Sequence, residues 1–342
     1  MKLSIADQTM IRAGGNAPGA IQETVELARL ADHLGYERFW LTEHHNMPMI
    51  GSSTPEILIG KVAESTKRIR VGAGGIMLPN HSSLKVAECF RLLEAMYPGR
   101  IDLGLGRAAG TDPYTAKLLN PSNDFKEENF PAKVEELQAF FADAAMTQRG
   151  PVMACPRIDT IPQQWILTGG ANATLAAKWG LGLSLPHFIQ EIQSTEGVER
   201  YRKEFSPSGT FPESRVSMGL FVICSDSEEK AALLEKCIQM VFVSLAMYGR
   251  FQPLPSIQEA ASHEFNLKER AFVEMQKGKY VSGTPDRVKE QLERYASEYD
   301  LDEVICMMMA YDFDDRKRSY ELLADVFSLD ANRSSALAKA DV

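Results

Sequence analysis

The chain has 342 residues, of which 44% are hydrophobic, so it is long enough to bury one large α/β core or two small ones. Its formal net charge of −9, without clusters of Lys or Arg, argues against nucleic acid and anionic membrane surfaces as partners. The sequence predicts a cytoplasmic protein. Its five cysteines are dispersed without a CxxC pair, its N-terminus lacks a signal-peptide core, and no apolar run approaches membrane-spanning length.

Short apolar runs alternate with amphipathic segments along the chain. The predicted strands cover residues 3–7, 37–43, 68–78, 100–106, 164–170, 181–186, 215–225 and 302–310. The predicted helices cover residues 23–35, 55–66, 84–96, 131–144, 172–180, 195–205, 227–247 and 316–328. Strands such as "LFVIC" (220–224) are apolar on both faces, as parallel strands between helices must be. Eight βα units favour a (β/α)8 TIM barrel, with an open doubly wound sheet as the alternative.

One segment interrupts this βα repeat. The sequence predicts an insertion at residues 249–283, before the last strand, with short helices of its own. A further helix is predicted at 286–299. We expect one barrel domain over residues 1–329 and a frayed C-terminal tail over residues 330–342.

The loops that follow the strands form the active-site rim of such a barrel. Glu43, His44 and His45 follow the second strand, whereas glycines and Arg107 follow the next three. Adjacent histidines on an extended segment point to opposite sides, and the HExxH pattern does not occur. We therefore predict no metal site, and we expect a large anionic ligand on this rim.

The segment "TGGANAT" (168–174) follows a strand and opens a helix. Glycines and free backbone N–H groups at a helix start are typical of an anion site, although many such turns have no ligand. Arg107 is a candidate second phosphate ligand, with a surface ion pair as the alternative. The segment "GLGRAAG" has the wrong spacing for a Rossmann dinucleotide site.

Five sequence blocks together resemble the bacterial luciferase-like family of flavin-dependent monooxygenases. They are "GYERFWLTEHHN", "RIRVGAGGIMLPNHSSLKVAE", "PGRIDLGLGRAAGTDP", "VSGTPDRV" and "RSYELLADVF". The resemblance implies a (β/α)8 barrel that forms a homodimer and binds reduced FMN at its rim. It implies delivery of the flavin by a separate flavin reductase. It also implies reaction with O2 through a flavin C4a-hydroperoxide that oxidises a small organic substrate.

The resemblance also assigns the first group of site residues. His44 falls at the family's catalytic histidine, and Glu43 beside it is a candidate second catalytic or orienting group. Gly74 and Gly75 fall where luciferases have a non-proline cis peptide under the flavin.

The remaining cofactor residues follow the fourth and fifth strands. Gly106 and Arg107 match the flavin-contacting pair, with Arg107 on the phosphate. Gly169, Gly170 and Thr174 fall in the phosphate loop. Luciferases have an acid and a serine where this sequence has two glycines, so backbone donors would contribute more to phosphate binding here.

Two alternative functions stay open at this level. Relatives on the same scaffold use the deazaflavin F420 for hydride transfer, and a protein that binds flavin without catalysis would need the same rim. The monooxygenase hypothesis makes His187 and Phe188 candidates for lining the substrate side and the segment 249–283 a candidate lid.

Overall fold

The computed structural model describes residues 1–122, 124 and 126–330. The strands are β1 (Lys2–Asp7), β2 (Arg38–Leu41), β3 (Arg70–Met77), β4 (Ile101–Gly106), β5 (Met146–Thr147), β6 (Gly150–Pro151), β7 (Gln163–Leu167), β8 (Gly182–Leu185), β9 (Val216–Cys224), β10 (Tyr280–Gly283) and β11 (Glu303–Met307). The helices are α1 (Ala17–Leu34), α2 (Pro55–Ser65), α3 (Ser83–Met96), α4 (Pro113–Leu119), α5 (Phe130–Phe141), α6 (Ala173–Lys178), α7 (Glu196–Glu204), α8 (Glu228–Tyr248), α9 (Ile257–Ser262), α10 (Leu267–Met275), α11 (Pro285–Glu298) and α12 (Phe313–Val326). Most of the tail predicted to be frayed, residues 331–342, lies outside the described residues.

Eight parallel strands form a closed barrel in the order β1-β2-β3-β4-β7-β8-β9-β11. The barrel closes because β11 pairs with β1, and because β9 pairs with both β8 and β11. Each predicted strand has its counterpart in this barrel. The (β/α)8 prediction is confirmed. The alternative, an open doubly wound sheet, is excluded because the first and last strands, β1 and β11, pair with each other.

The segment 249–283 contains α9, α10 and β10. Both helices begin with a capping box, at Ser256 with Glu259 and at Asn266 with Glu269. The segment ends on β10, which pairs with the C-terminal half of β9 in parallel. The inserted helices are therefore tied to the barrel wall at the rim end of β9.

A buried ionic cluster closes the opposite end of the barrel. Arg38, the first residue of β2, contacts Asp102 and Glu303 at 2.6 Å each, and all three side chains are buried. The Arg38 guanidinium also lies over the Trp165 ring, 4.7 Å from its centroid. Because these charges are paired at the N-terminal ends of the strands, the C-terminal rim is the end left for a binding site.

Helix α8 corrects the expectation that no apolar segment approaches membrane-spanning length. It contains an 18-residue window of mean hydropathy 1.4, so it could cross a membrane by length and composition alone. In the fold α8 packs against β9, β10, α9 and α10, and 39% of that window is buried. Its apolar face thus covers the barrel and the inserted helices.

Candidate active site at the barrel rim

His44 lies on the rim loop that follows β2. Its backbone N–H donates to the Ser52 carbonyl at 3.1 Å, and its ring Nε2 lies 3.5 Å from the Gln8 amide nitrogen. The ring Nδ1 is buried and has no hydrogen-bond partner among the described residues. Burial lowers the pKa of His44 below 6.5 against the opposing effects of the Gly110 backbone and of Glu43, which favours the neutral imidazole at pH 7. His44 therefore offers a neutral imidazole with one unsatisfied nitrogen.

The Glu43 carboxylate is the centre of a buried hydrogen-bond cluster. Its Oε1 accepts from the Nε2 atoms of His45 and His81, at 2.8 Å each, and from the Asn80 amide at 3.3 Å. Its Oε2 accepts from the Met77 backbone N–H at 2.8 Å. One carboxylate thus ties the loop after β2 to the end of β3 and the turn that follows it.

These contacts assign Glu43 a positioning role. Burial alone would raise the pKa of Glu43, but the donors from His45, His81 and Met77 overcome burial and lower it to about 2. A carboxylate with that pKa stays charged at neutral pH and does not exchange protons with a substrate. Its hydrogen bonds go to His45 and His81, whereas its influence on His44 is only electrostatic. The expected orienting bond between Glu43 and His44 does not form.

The predicted glycines of β3 and β4 allow the strands to pack closely. The peptide bond between Gly74 and Gly75 is cis, as the resemblance implied. A Cβ on Gly75 would lie 2.6 Å from the Gly104 carbonyl oxygen, and a Cβ on Gly74 would collide with the Trp40 ring. A Cβ on Gly106 would lie 2.6 Å from the Met77 Cε atom. Side chains are excluded from Gly74 and Gly75 by a ring and by strand backbone, whereas a Cβ on Gly106 would meet only the flexible end of the Met77 side chain.

The loop after β4 is fastened to the His44 loop. Asn46 donates to the Asp112 carboxylate at 3.0 Å, and the Thr111 hydroxyl donates to the His45 carbonyl at 2.8 Å. Gly110 has a φ of +65° and accepts from the His45 N–H at 3.2 Å. This attachment starts three residues beyond Arg107, which is half-buried at the end of β4. The loops carrying His44 and Arg107 are therefore held together.

The predicted phosphate loop borders a cavity of about 630 Å³. Gly169 and Gly170 form one wall, and the loop after β8, the start of α7 and the end of the inserted segment form the others. Gly170 has a φ of +114°, which favours glycine. Thr174 is exposed on α6 and does not line the cavity. Of the predicted site residues, the two glycines alone reach this cavity.

Several rim residues went unpredicted. Arg200 and Lys279 line the cavity, and the Arg200 side chain makes no hydrogen bond or ion pair with the described residues. Gln8 faces His44 from the end of β1. The sequence shows a basic residue, Arg200, on the helix after the sixth barrel strand and an amide, Gln8, directly after the first strand. Neither belongs to a motif, so neither was predicted.

His187 has a structural role rather than the predicted substrate-lining one. It is buried, its Nδ1 accepts from the Ile192 N–H at 3.2 Å, and its Nε2 lies 3.1 Å from the Gly278 carbonyl. Both ring nitrogens are therefore used to tie the loop after β8 to the inserted segment. Phe188 packs beside the Phe221 ring, with centroids 5.8 Å apart.

The rim residues fit a flavin phosphate ester better than a metal ion. Among the described residues, no group of three or more His, Cys, Asp or Glu is placed to hold a metal. The cavity supplies glycine backbone and the Arg200 guanidinium, and the rim outside it supplies the half-buried Arg107 and the unsatisfied buried nitrogen of His44. Guanidinium and backbone N–H groups suit phosphate oxygens, and a buried ring nitrogen suits a polar heterocycle.

Two similar proteins match this chain over nearly its whole length. N-acetyl-S-alkylcysteine monooxygenase of Bacillus subtilis (strain 168) is 34% identical, over 95% of this chain and 98% of that protein. The crystal structure of apo-MsnO8 is 34% identical, with a TM-score of 0.85 over 96% of this chain and 99% of that one.

More distant solved structures share the fold. The oxygenating constituent of 3,6-diketocamphane monooxygenase from Pseudomonas putida in complex with FMN is 16% identical, with a TM-score of 0.68 and 95% and 96% of the two chains covered. An F420-dependent secondary alcohol dehydrogenase is 14% identical, with a TM-score of 0.67 and 95% and 98% covered. Proteins of this fold thus bind either FMN or F420.

A family model described as luciferase-like monooxygenase matches residues 1–300. The match covers the barrel strands from β1 to β9 and every predicted site residue. The chain belongs to the luciferase-like monooxygenase family, which confirms the resemblance found in the sequence.

Proposed function

We propose that the protein is a two-component monooxygenase that uses reduced FMN and O2 to oxidise a small organic substrate. The observation that carries the proposal is His44: a neutral, buried imidazole with an unsatisfied Nδ1, on the rim of a luciferase-like barrel. An unsatisfied buried polar atom costs about 1–3 kcal/mol, so such an atom at a rim calls for a ligand that bonds to it.

Bound FMN would supply the electrons that activate O2. His44 would lie beside its ring system and hold or transfer a proton at the reacting oxygen, because its pKa is low enough for the neutral form to predominate. Glu43 would keep the His44 loop in place through His45 and His81. Gly74, Gly75 and Gly106 would leave the floor of the site without side chains.

The phosphate end of FMN would be bound by Gly169, Gly170 and Arg107, with Thr174 at its edge. Arg200 is an additional candidate, because its side chain lines the cavity beside Gly169 and Gly170 and has no partner among the described residues. The segment 249–283 contributes Met275 and Lys279 to the cavity wall, which supports its proposed role as a lid that excludes water.

Two partners belong to this proposal. A separate flavin reductase would deliver the reduced FMN. A second copy of the chain would cover the exposed apolar side chains of α2 and α3, where Ile57, Leu92 and Met96 are 71%, 51% and 50% exposed. Together these side chains support a homodimer through the α2–α3 face.

The direct test is a coupled assay with a flavin reductase, NADH, FMN and 18O2. The first substrates to try are N-acetyl-S-alkylcysteines, the class named for the relative at 34% identity. We expect product that carries one oxygen atom from O2, and we expect His44→Ala to lower its yield by about 10²-fold or more while peroxide release rises.

The matched control is His33→Ala, which removes an exposed histidine from α1. It should leave the product yield unchanged. A His44→Ala yield equal to that of the wild type would contradict the role of His44. Reduction of substrate with F420H2, without oxygen incorporation, would assign the protein to hydride transfer, and turnover no faster than free flavin would assign it to cofactor binding alone.

A further inference from the structure

Gln8 is the side chain that faces the ring of His44. It follows β1 directly on the rim, and its amide nitrogen lies 3.5 Å from His44 Nε2. If the amide N–H₂ group donates across this contact, Nε2 of His44 is the acceptor. A neutral imidazole that accepts at Nε2 has its proton on Nδ1.

The residues on both sides of Gln8 are fixed. Asp7 is buried, accepts from the Thr24 hydroxyl at 2.6 Å and pairs with Arg316 at 2.7 Å. Thr9 is also buried, and its hydroxyl lies 3.1 Å from that of Thr24. A single threonine on α1 therefore holds both neighbours of Gln8.

The backbone around Gln8 is fixed to the His44 loop as well. The Thr9 φ of +54° turns the chain, and the Thr9 carbonyl accepts from the Gly51 N–H at 2.9 Å. Beyond it, the Ile11 N–H donates to the Met49 carbonyl at 2.7 Å. The loops after β1 and β2 thus form one unit, and within it Gln8 is held opposite His44.

The other ring nitrogen completes the argument. Nδ1 of His44 is buried and has no hydrogen-bond partner among the described residues. If Nε2 accepts from Gln8, Nδ1 carries the proton, and this buried N–H is left for an acceptor on a ligand.

We propose that Gln8 is a positioning residue that holds His44 in the neutral tautomer protonated on Nδ1, so that this N–H is the donor offered to the bound ligand. This rests on the proposed function for the identity of the ligand, but the tautomer is a property of the ligand-free protein. The other groups that act on the ring are the Gly110 backbone and Glu43, which favour the imidazolium, and His45, which opposes it.

The first test is ¹⁵N NMR of histidine-labelled protein without flavin, with the His44 signals assigned by their loss in His44→Gln. We expect wild-type Nδ1 to be protonated and Nε2 to be unprotonated near pH 7. Gln8→Ala should lose this preference. An Nε2-protonated wild type, or an unchanged tautomer in Gln8→Ala, would overturn the proposal.

A second variant keeps the side-chain size. In Gln8→Glu the carboxylate can only accept, so we expect the proton to move to Nε2 and the pKa of His44 to rise. Gln22→Ala, which removes an exposed amide from α1, is the control and should leave the His44 signals as they are. Retention of the Nδ1-protonated form in Gln8→Glu would also refute the role of Gln8.

Kinetics add a readout that a purely structural role would not move. Gln8→Ala and Gln8→Glu should lower kcat by about tenfold or more, with substrate KM and FMN affinity changed little. An equal rise of KM and of the FMN dissociation constant, with kcat unchanged, would show that Gln8 serves binding instead. If the wild type binds no FMN and makes no product, the proposed function fails, whereas the tautomer experiment still decides the role of Gln8.

Discussion

Glu43 and His81 are joined by a hydrogen bond of 2.8 Å between Oε1 and Nε2, although 38 residues separate them in the chain. Burial opposes the charge on His81, but the hydrogen bond and negative charge of Glu43 outweigh it and raise the pKa of His81 above 6.5. The pair connects the loop that carries His44 to the turn after β3, so the geometry of the proposed catalytic loop depends on a carboxylate that is hydrogen-bonded to other protein groups.

Replacing Glu43 should therefore destabilise the fold and disturb the site. Glu43→Gln leaves His45 and His81 facing a weaker acceptor, and the loss of a buried charged partner costs about 3–5 kcal/mol. We expect urea unfolding to show a decrease of this order and the kcat of the variant to fall. A variant as stable as the wild type would contradict the role of the cluster.

The stabilisation by this pair should depend on pH in a defined window. The pKa of Glu43 falls from 4.5 to about 2 on folding, so its contribution is complete above pH 4.5 and is lost as the pH falls through 2. The pKa of His81 rises, so its contribution is complete below pH 6.5 and is lost as the pH rises through the folded pKa. The stability difference between wild type and Glu43→Gln should be largest between pH 4.5 and 6.5. A difference that does not vary from pH 4.5 to 9 would contradict the assignment for His81.

A side chain at Gly75 should not be tolerated. The added Cβ would lie 2.6 Å from the Gly104 carbonyl oxygen, which is strand backbone and cannot move aside. Gly75→Ala should lower the free energy of unfolding by about 1–3 kcal/mol and weaken FMN binding. Gly209→Ala is the matched control, because the Cβ that it adds would have no atom within 4 Å. Equal stability of the two variants would contradict the close packing of β3 on β4.

The ionic cluster at the other end of the barrel should affect stability without affecting the site. Asp102 is buried, and it pairs with Arg38 at 2.6 Å and with Arg70 at 2.7 Å. Asp102→Asn should cost about 3–5 kcal/mol. FMN affinity of the folded fraction should stay unchanged, and this is measured by titration at a temperature where the variant is native. A large loss of affinity would show that the two ends of the barrel are coupled.

The phosphate contacts should distinguish FMN from riboflavin, which lacks only the phosphate. Arg107→Gln should weaken binding of reduced FMN by about 1.5–3 kcal/mol, or roughly tenfold to a hundredfold, because it removes a charged donor. Riboflavin affinity should not change. If both ligands lost affinity equally, Arg107 would not bind the phosphate.

The sequence predicted most of the fold because its signals are local and periodic. Each barrel strand is a buried apolar run, and each main helix has a 3.6-residue pattern that survives in the structure. The short helices α9 and α10 were expected only as a group, and α4 and β10 were not predicted, since segments of four to nine residues carry weak periodicity.

The site was predicted less completely. The rim positions of His44, Gly106 and Arg107 were predicted because residues of the rim lie where the barrel strands end. The partners of Glu43 were not predicted, because hydrogen bonds to His81 and Asn80 arise from the meeting of two loops and leave no pattern in the sequence. Gln8 was missed for the same reason as His81.

The most direct test of the account is an anaerobic titration of the purified protein with reduced FMN and with reduced F420, followed by admission of O2 and a candidate substrate. We predict at least tenfold tighter binding of reduced FMN, and transfer of one atom of 18O2 into the product by the wild type but not by His44→Ala. Tighter binding of F420, or a product without oxygen from O2, would contradict the central claim.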